Sequence, residues 1–224
     1  MIAPDRLLTW LSSLPALRET CAECGAGRAE IAAFLAGRFD RCYALDIKPL
    51  PLSVAADVNA VQADAGALPF KDGSIDLVVS MQALHHFDVL RHLREARRVL
   101  RQGGVFAALC WGEIVLPRRI ARAYGAVFRT IRPYWEAERD GVLSGYRGLR
   151  FDGRPVRLPP SAMKRRMTLA GLDRRMATWS AVQAALRAGI ALPEPDVGAC
   201  GVAENETFPV NWPILGQVYR VDVA

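Results

Sequence analysis

The sequence lacks long apolar runs and an export signal. No stretch of about 18 uncharged apolar residues occurs, which is the length that a membrane-spanning helix needs. The first residues contain no basic segment leading into a long apolar stretch, unlike a signal peptide. We therefore expect no membrane partner and a cytoplasmic location. The 224 residues are 51% apolar, which is sufficient for one domain with an elaboration.

Cysteine is scarce, and the number of cysteines is odd. The sequence contains five of them, at positions 21, 24, 42, 110 and 200. Without an export signal, an odd number favours free thiols over disulfides. Cys21 and Cys24 have the spacing of a zinc or redox pair, but residues three apart on a strand point to opposite faces, and no second pair at ligand spacing follows. We therefore expect buried small side chains here and no metal site.

Lysine is rare, so nearly all of the positive charge is arginine. Residues 1–111 hold 12 basic and 12 acidic residues, for a net charge of 0, whereas residues 112–224 hold 17 and 11, for a net charge of +6. The arginines are scattered and do not form a basic run with interleaved aromatic residues, so a nucleic-acid partner is not favoured. A small anionic substrate and a solvated charged surface both remain as explanations.

Apolar strands alternate with helical periodicity between residues 16 and 111. Strands are predicted to end at residue 24 and to lie at 42–46, 59–63, 75–80 and 105–111, and helices at 4–14, at 28–37 and from 88 to the glycines at 103 and 104. This alternation is typical of an α/β protein with a doubly wound, mostly parallel sheet. Beyond it we expect a helical insertion, with helices at 115–131, 134–144 and 161–188, and then a C-terminal hairpin with strands at 207–212 and 217–223.

A glycine turn joins the first predicted strand to the next helix. Gly25 and Gly27 let the backbone approach a ligand, and the helix N-terminus offers free N–H groups. Asp46 follows 21 residues after Gly25, close to the spacing of about 20 at which an acidic residue binds a ribose hydroxyl. The G-x-G-x-x-G pattern is incomplete because Glu30 occupies its last position. A nucleotide-type ligand and a plain tight turn therefore both remain open.

Motifs at 64–78, 82–87 and 95–104 occur in a characteristic order. The first reads Asp-Ala-Gly-Ala-Leu-Pro-Phe-Lys-Asp-Gly-Ser-Ile-Asp-Leu-Val, and the second Gln-Ala-Leu-His-His-Phe. In these motifs the sequence resembles class I S-adenosylmethionine-dependent methyltransferases, in particular the type 11 group that includes trans-aconitate methyltransferase-like proteins. The resemblance implies a Rossmann-like fold in a single domain, 1–224, with a cofactor-binding half at 1–111, a substrate or lid insertion at 112–200 and C-terminal strands at 201–224.

The resemblance implies S-adenosylmethionine as the cofactor. The residues implied to bind it are Gly25, Gly27, Asp46, Ile47, Asp64, Ala65 and Gln82. The carboxylate of Asp46 suits two neighbouring ribose hydroxyls, since it accepts hydrogen bonds at both oxygens. Glu23 stands where the family usually has glycine, and it is also predicted to be a cofactor-binding residue, where it either pairs with the amino group of the cofactor or obstructs the site.

Catalytic and substrate-binding candidates follow the fourth strand and lie in the insertion. His85 is predicted to be the base or a substrate contact, because histidine exchanges protons near neutral pH. A structural histidine that only hydrogen-bonds its own loop is the alternative, and His92 is expected to be exposed. The candidates for substrate contact are His86, Trp111, Tyr146 and Arg147, with Arg150 and Arg154 near the last of these.

These features predict an enzyme that methylates a small anionic molecule, at oxygen rather than nitrogen. Such a transfer is an in-line displacement, which depends mainly on alignment of the reacting groups. The alternative is a protein of the same fold that no longer methylates and acts as a binding or regulatory partner, or runs another reaction in the same pocket. A nicotinamide-dependent reductase is disfavoured by the incomplete glycine pattern.

Overall fold

The computed structural model describes residues 3–51, 53, 55–136, 139–203 and 205–222. These residues form two compact units. The first contains 3–112, 141–162 and 214–222, and the second contains 113–140 and 163–213. The insertion predicted at 112–200 is thus interrupted by a segment that belongs to the first unit.

The strands of the described residues carry the predicted α/β pattern. They are β1 Thr20–Cys24, β2 Arg41–Asp46, β3 Val58–Gln62, β4 Ile75–Met81, β5 Leu100–Trp111, β6 Arg154–Pro155, β7 Ala162–Met167 and β8 Phe208–Arg220. Their order in the sheet is β3-β2-β1-β4-β5-β8-β6, and β7 pairs with β8. The first five strands are parallel, and β8 runs antiparallel to β5 and β6. The predicted fold class is therefore confirmed.

The α-helices of the described residues are short. They are α1 Asp5–Ser12, α2 Glu30–Ala36, α3 Val89–Val99, α4 Arg118–Ala123, α5 Gly125–Ile131, α6 Arg139–Leu143, α7 Leu169–Ala177 and α8 Ser180–Arg187. Single 3-10 turns occupy Leu84–His86, Arg132–Tyr134 and Val197–Cys200. Within the described ranges, no helix has both the length and the apolar character needed to cross a bilayer.

Helix α3 begins where the sequence predicts and ends earlier. The Asp88 side chain accepts a hydrogen bond from the Arg91 N–H at 3.1 Å, so Asp88 is the N-cap of this helix. The helix ends at Val99, and the predicted stop at Gly103 and Gly104 is wrong because β5 already begins at Leu100. Gly104 is instead needed for close packing, since a Cβ there would lie 2.8 Å from the Arg101 carbonyl oxygen.

The predicted C-terminal hairpin is wrong, because β8 is one continuous strand. Pairing with β5 begins at Ile214, so Pro213 need not donate to that ladder. Gly216, which the sequence placed in the turn, lies directly on β5. A Cβ at this position would be 2.2 Å from the Ala108 carbonyl oxygen, so the glycine serves a close approach of two strands.

The helix predicted at 161–188 is correct only in its later part. Residues 162–167 form β7, and α7 begins at Leu169, where the Thr168 hydroxyl accepts a hydrogen bond from the Gly171 N–H at 3.1 Å. The Arg166 guanidinium donates to the hydroxyl of Thr207 at 2.9 Å and also to its carbonyl oxygen. Pairing with distant residues therefore overrides the local helical pattern.

An ion pair between Asp76 and Arg101 joins the amino ends of β4 and β5. Every residue of β4 is buried, and the Asp76 side chain is only 1% exposed. Its Oδ2 accepts hydrogen bonds from the backbone N–H groups of Glu19 and Thr20, and its Oδ1 lies 3.0 Å from the Arg101 Nε. The start of β1 is thereby fixed against β4 and β5, which holds the strand ends in register.

Candidate functional site

The glycine turn after β1 contains two glycines with different surroundings. Gly25 and Gly27 both have positive φ, at 71° and 52°. A Cβ on Gly25 would lie 2.4 Å from the Ala83 Cβ, whereas a Cβ on Gly27 would meet no atom within 4 Å. Gly25 therefore permits close packing inside the protein. Gly27 faces open space, which leaves room for a ligand against the backbone.

The end of β2 lies beside this turn, as the parallel pairing of β1 and β2 requires. The Asp46 carboxylate accepts hydrogen bonds from the Gly27 N–H at 2.9 Å and from the Lys48 N–H at 3.0 Å. The next residue, Ile47, is 67% exposed, so its side chain offers an apolar surface at the same edge of the sheet. The structure thus brings together three of the predicted cofactor residues, Gly27, Asp46 and Ile47, and the Asp46 carboxylate holds the turn.

The loop after β3 carries the next pair of predicted residues. The Asp64 carboxylate accepts a hydrogen bond from the Gly66 N–H at 2.8 Å and lies 3.8 Å from the Arg91 guanidinium. Both charged side chains are about half exposed, so this ion pair is weak. The Ala65 carbonyl oxygen is 2.9 Å from the Nδ1 of His92.

His92 is fully buried, so the expectation that it is exposed is wrong. Its Nδ1 contacts the Ala65 carbonyl and its Nε2 lies 3.4 Å from the Ser80 hydroxyl. Burial lowers the pKa of this imidazole below its usual value, which favours the neutral ring. Its place on the buried face of α3, four residues before Ala96 and seven before Val99, is the signal that could have found it.

Two predicted residues follow β4 at the same edge of the sheet. Gln82 has a φ of 57°, and its N–H donates to the Leu109 carbonyl at 2.9 Å. The Nδ1 of His85 lies 3.1 Å from the Tyr146 hydroxyl, and the ring centres of His85 and His86 are 4.1 Å apart. The predicted catalytic residue therefore meets one of the predicted substrate residues.

Tyr146 is itself held by a buried partner that the sequence did not indicate. The tyrosine has a φ of 57° and is 8% exposed, and its hydroxyl interacts with the thiol of Cys110. Burial raises the pKa of the Tyr146 phenol and also raises the pKa of Cys110 to about 12, so both groups are protonated near pH 7. The Cys110 thiol in turn donates to the Val142 carbonyl at 3.2 Å.

The Glu23 side chain, predicted to lie near the cofactor, is buried against α2. The side chain is 2% exposed, and its Oε2 accepts a hydrogen bond from the Ala32 N–H of α2 at 2.8 Å. Burial, together with the charges of Glu30 and Asp46, raises the pKa of this carboxyl to about 8 despite that hydrogen bond. The side chain therefore supports the first turn of α2.

The remaining substrate candidates are dispersed. Trp111 ends β5 and is half-buried, and Arg147 and Arg150 are exposed. Arg154 belongs to β6 and lies 3.9 Å from the Asp222 carboxylate. Trp135 and Trp179, also in the insertion, pack within the second unit, where their ring centres are 5.7 Å apart.

The cysteines give no sign of a shared function. Cys21, Cys24, Cys42 and Cys110 are free and buried. The side chain of Cys200 lies outside the described residues. In the part of the chain that the structure describes, no three histidine, cysteine, aspartate or glutamate side chains are grouped so that they could hold a metal ion.

Comparison with known proteins gives an independent assignment. Residues 22–108 match a family model described as a methyltransferase domain. A solved structure from Anaeromyxobacter dehalogenans, a candidate type II methyltransferase, is similar over 99% of this chain and 98% of that one, with a TM-score of 0.85 and 29% identity. Residues 22–108 carry a methyltransferase domain. The family predicted from the sequence motifs is thus confirmed, and S-adenosylmethionine is the cofactor of that family.

Relatives of the methyltransferase domain are similar over part of their length. A candidate methyltransferase of Encephalitozoon cuniculi is 32% identical over 126 residues, which are 53% of this chain and 57% of the relative. The malonyl-[acyl-carrier protein] O-methyltransferase of Dechloromonas aromatica is 42% identical over 94 residues, which are 41% of this chain and 35% of the relative. The chain therefore spans between about a third and just over half of the length of these curated relatives.

Proposed function

We propose that the chain transfers a methyl group from S-adenosylmethionine to an oxygen atom of a small anionic molecule. The observation that carries the proposal is the arrangement at one edge of the sheet. The Gly25–Gly27 turn follows β1, and Asp46 ends the neighbouring strand β2. His85 follows β4, on the other side of β1, and contacts Tyr146. Ligands of open α/β sheets bind in this crevice.

The residues at the turn suit the cofactor. The open space next to Gly27 would admit the ligand against the backbone, and the Asp46 carboxylate would accept hydrogen bonds from its ribose hydroxyls. The exposed side chain of Ile47 would cover a flat ring by apolar contact. When bound, S-adenosylmethionine would supply a methyl group attached to a sulfonium. The leaving group, S-adenosylhomocysteine, is neutral at sulfur and therefore needs no acid.

The chain's own residues would handle the proton of the methyl acceptor. The Cys110 thiol donates to the Val142 carbonyl, so its sulfur is available to accept from the Tyr146 hydroxyl. The Tyr146 oxygen then accepts from the Nδ1–H of His85, which makes Nε2 the basic nitrogen. This order of donors fixes the tautomer in which His85 takes a proton from a hydroxyl nucleophile. A carboxylate nucleophile needs no base.

Oxygen as the methylated atom is supported by the relatives. The Dechloromonas aromatica protein, 42% identical over the shared part, is named as an O-methyltransferase of a malonyl group. One reason to consider a fold that has lost methylation was that Glu23 could obstruct the cofactor. The Glu23 side chain is buried against α2, which removes that reason.

Calorimetric titration with S-adenosylmethionine, S-adenosylhomocysteine and NADH tests the cofactor assignment. We expect the first two to bind and NADH not to bind. The variants Gly27→Ala and Asp46→Ala should each weaken binding by at least about tenfold, which corresponds to the loss of one charge-assisted hydrogen bond or of the space for the ligand. The matched control is Asp57→Ala, because Asp57 is exposed and follows no strand of the site. If neither adenosyl ligand binds the wild-type chain, the proposal is wrong.

A further inference from the structure

The first unit contains a surface recess, and among the residues that line it only Arg147 was a substrate candidate above. Its volume is about 250 Å³, and it lies between the 144–160 segment and the part of β8 that pairs with the carboxyl half of β5. The residues that line it are Ser144, Gly145, Arg147, Arg157, Leu158, Pro159, Pro160, Ile214, Leu215, Gly216 and Gln217. This set includes two arginines and no acidic residue.

The two arginines of the recess are not the only ones in this segment without an ion pair, since none is found for Arg150 among the described residues. Arg97 and Arg154, by contrast, lie within ion-pair distance of carboxylates, at 3.0 and 3.9 Å. Among the residues that the structure describes, neither Arg147 nor Arg157 has such a partner. Two cations that share a concave surface without a counter-ion favour binding of an anion there.

The apolar residues of the lining favour an anion that carries an aliphatic group. Leu158, Ile214 and Leu215 make part of the surface apolar, and two consecutive prolines form one wall. At roughly 30 Å³ for each water molecule, the volume equals about eight waters, which is enough for a short chain and one charged group. Guanidinium groups bind carboxylates and phosphates with two parallel hydrogen bonds.

We propose that this recess binds the anionic end of the substrate, a carboxylate or phosphate on a short aliphatic chain, through Arg147 and Arg157. That the anion belongs to the methyl acceptor rests on the proposed function. Binding of an anion in the recess does not.

One turn connects the recess to the proposed base. Arg147 directly follows Tyr146, whose hydroxyl contacts His85. The Gln217 side chain donates to the Gly145 carbonyl at 3.0 Å, and a Cβ on Gly145 would lie 3.0 Å from the backbone of Gly216. The turn is thus packed on β8, so an anion held in the recess is placed at a fixed offset from His85.

Binding of two probes to the purified chain tests the proposal at low ionic strength. Inorganic phosphate and glutarate are titrated calorimetrically, each with and without saturating S-adenosylhomocysteine. We expect at least one probe to bind, and the better probe identifies the anion as phosphate or carboxylate. Arg147→Ala and Arg157→Ala should each weaken binding by about tenfold, and 0.5 M NaCl should weaken it further. The control is Arg6→Ala, since Arg6 is exposed on α1 and remote from the lining.

The outcomes separate this proposal from the proposed function. If neither probe binds, or if both recess variants bind like the wild type, the recess site is wrong while binding of S-adenosylmethionine is judged from its own titration. If a probe binds through both arginines but S-adenosylmethionine does not bind, the site stands and methyl transfer is wrong. Thermal melting of each variant checks that the fold is retained, and Arg147→Lys and Arg157→Lys replace any alanine variant that does not fold.

Discussion

The proposed site at the carboxyl ends of the parallel strands has two parts that are built in different ways. We call the turn at Gly25–Gly27 with Asp46 the glycine-turn side, and His85 with Tyr146 the base side. On the glycine-turn side, the Asp46 carboxylate binds a backbone N–H only 19 residues away in sequence. On the base side, His85 meets Tyr146, a partner 61 residues away, and both contributing groups are side chains. The first part follows from a single β-α-β unit. The second exists only because a distant segment returns to the sheet.

This difference predicts how each part responds to substitution. Contacts within one β-α-β unit are supported by the local backbone, so a change there affects folding and ligand binding together. On the base side, the Tyr146 ring belongs to the main apolar core, but the groups that make the contact are the His85 imidazole and the Tyr146 hydroxyl, which apolar packing does not require. A change there should affect the reaction more than the free energy of unfolding.

The largest effect is expected for Gly25→Ala on the glycine-turn side. The new methyl group would lie 2.4 Å from the Ala83 Cβ, and φ at this position is 71°. Overpacking and an unfavourable backbone should together lower the free energy of unfolding by roughly 3 to 5 kcal/mol. Urea titration of the two proteins measures this. Gly37→Ala is the control, because Gly37 has a negative φ and no atom near its Cβ position, so its change should stay within about 1 kcal/mol.

Glu23 makes the same side sensitive to pH. Its pKa is raised from 4.5 to about 8 in the folded chain, so the folded state holds a proton that the unfolded state releases above about pH 4.5. Stability contributed by this group is therefore complete below about pH 4.5 and is lost as the pH rises through about 8, a change of about 4 kcal/mol by pH 8. Urea titrations across this range should show that slope in the wild type.

Glu23→Gln should abolish that slope, because glutamine keeps an oxygen that can accept from the Ala32 N–H and does not titrate. Glu194→Gln is the matched control at an exposed site and should keep the slope of the wild type. Equal pH dependence of the wild type and Glu23→Gln would assign the slope to other groups.

His85→Ala tests the base side through the reaction. With an acceptor hydroxyl as nucleophile, kcat should fall by about 100-fold, since a positioned base contributes at least that factor. The free energy of unfolding should change by less than for Gly25→Ala. Added imidazole should restore part of the activity of His85→Ala. His86→Ala should have a smaller effect, because the contact to Tyr146 is made by His85. An unchanged kcat would remove His85 from the mechanism.

The sequence predicts the glycine-turn side because its signals are local. Strand, turn, helix and the acid at the end of β2 lie within about 25 residues, and the parallel sheet brings their ends to one edge by its geometry. Glu23 was misjudged because neighbouring strand residues face opposite ways. Ala22 and Cys24 lie in the main apolar core, so Glu23 between them points to α2.

The base side was predicted only as a set of candidate residues. Histidine after the fourth strand can be read from the motif, but its contact with Tyr146 depends on how the 141–162 segment packs, and no periodicity encodes that. For the same reason, no pattern in the sequence indicated a role for Arg157 or Cys110. The error in the C-terminal hairpin has the same origin, since Gly216 looks like a turn residue and is required by strand packing.

Tyr146→Phe should have a smaller effect than His85→Ala and tests the comparison most directly. The variant keeps the ring in place but removes the hydroxyl that accepts from His85 and donates to Cys110. His85 then loses the partner that fixes its tautomer, so kcat should fall by about tenfold with KM nearly unchanged, an effect of about 1.4 kcal/mol on the barrier. Cys110→Ala leaves the phenol in place and should have a weaker effect in the same direction. If Tyr146→Phe instead lowers stability and leaves kcat unchanged, the phenol is a packing residue, and the base side is no more dependent on distant side chains than the glycine turn.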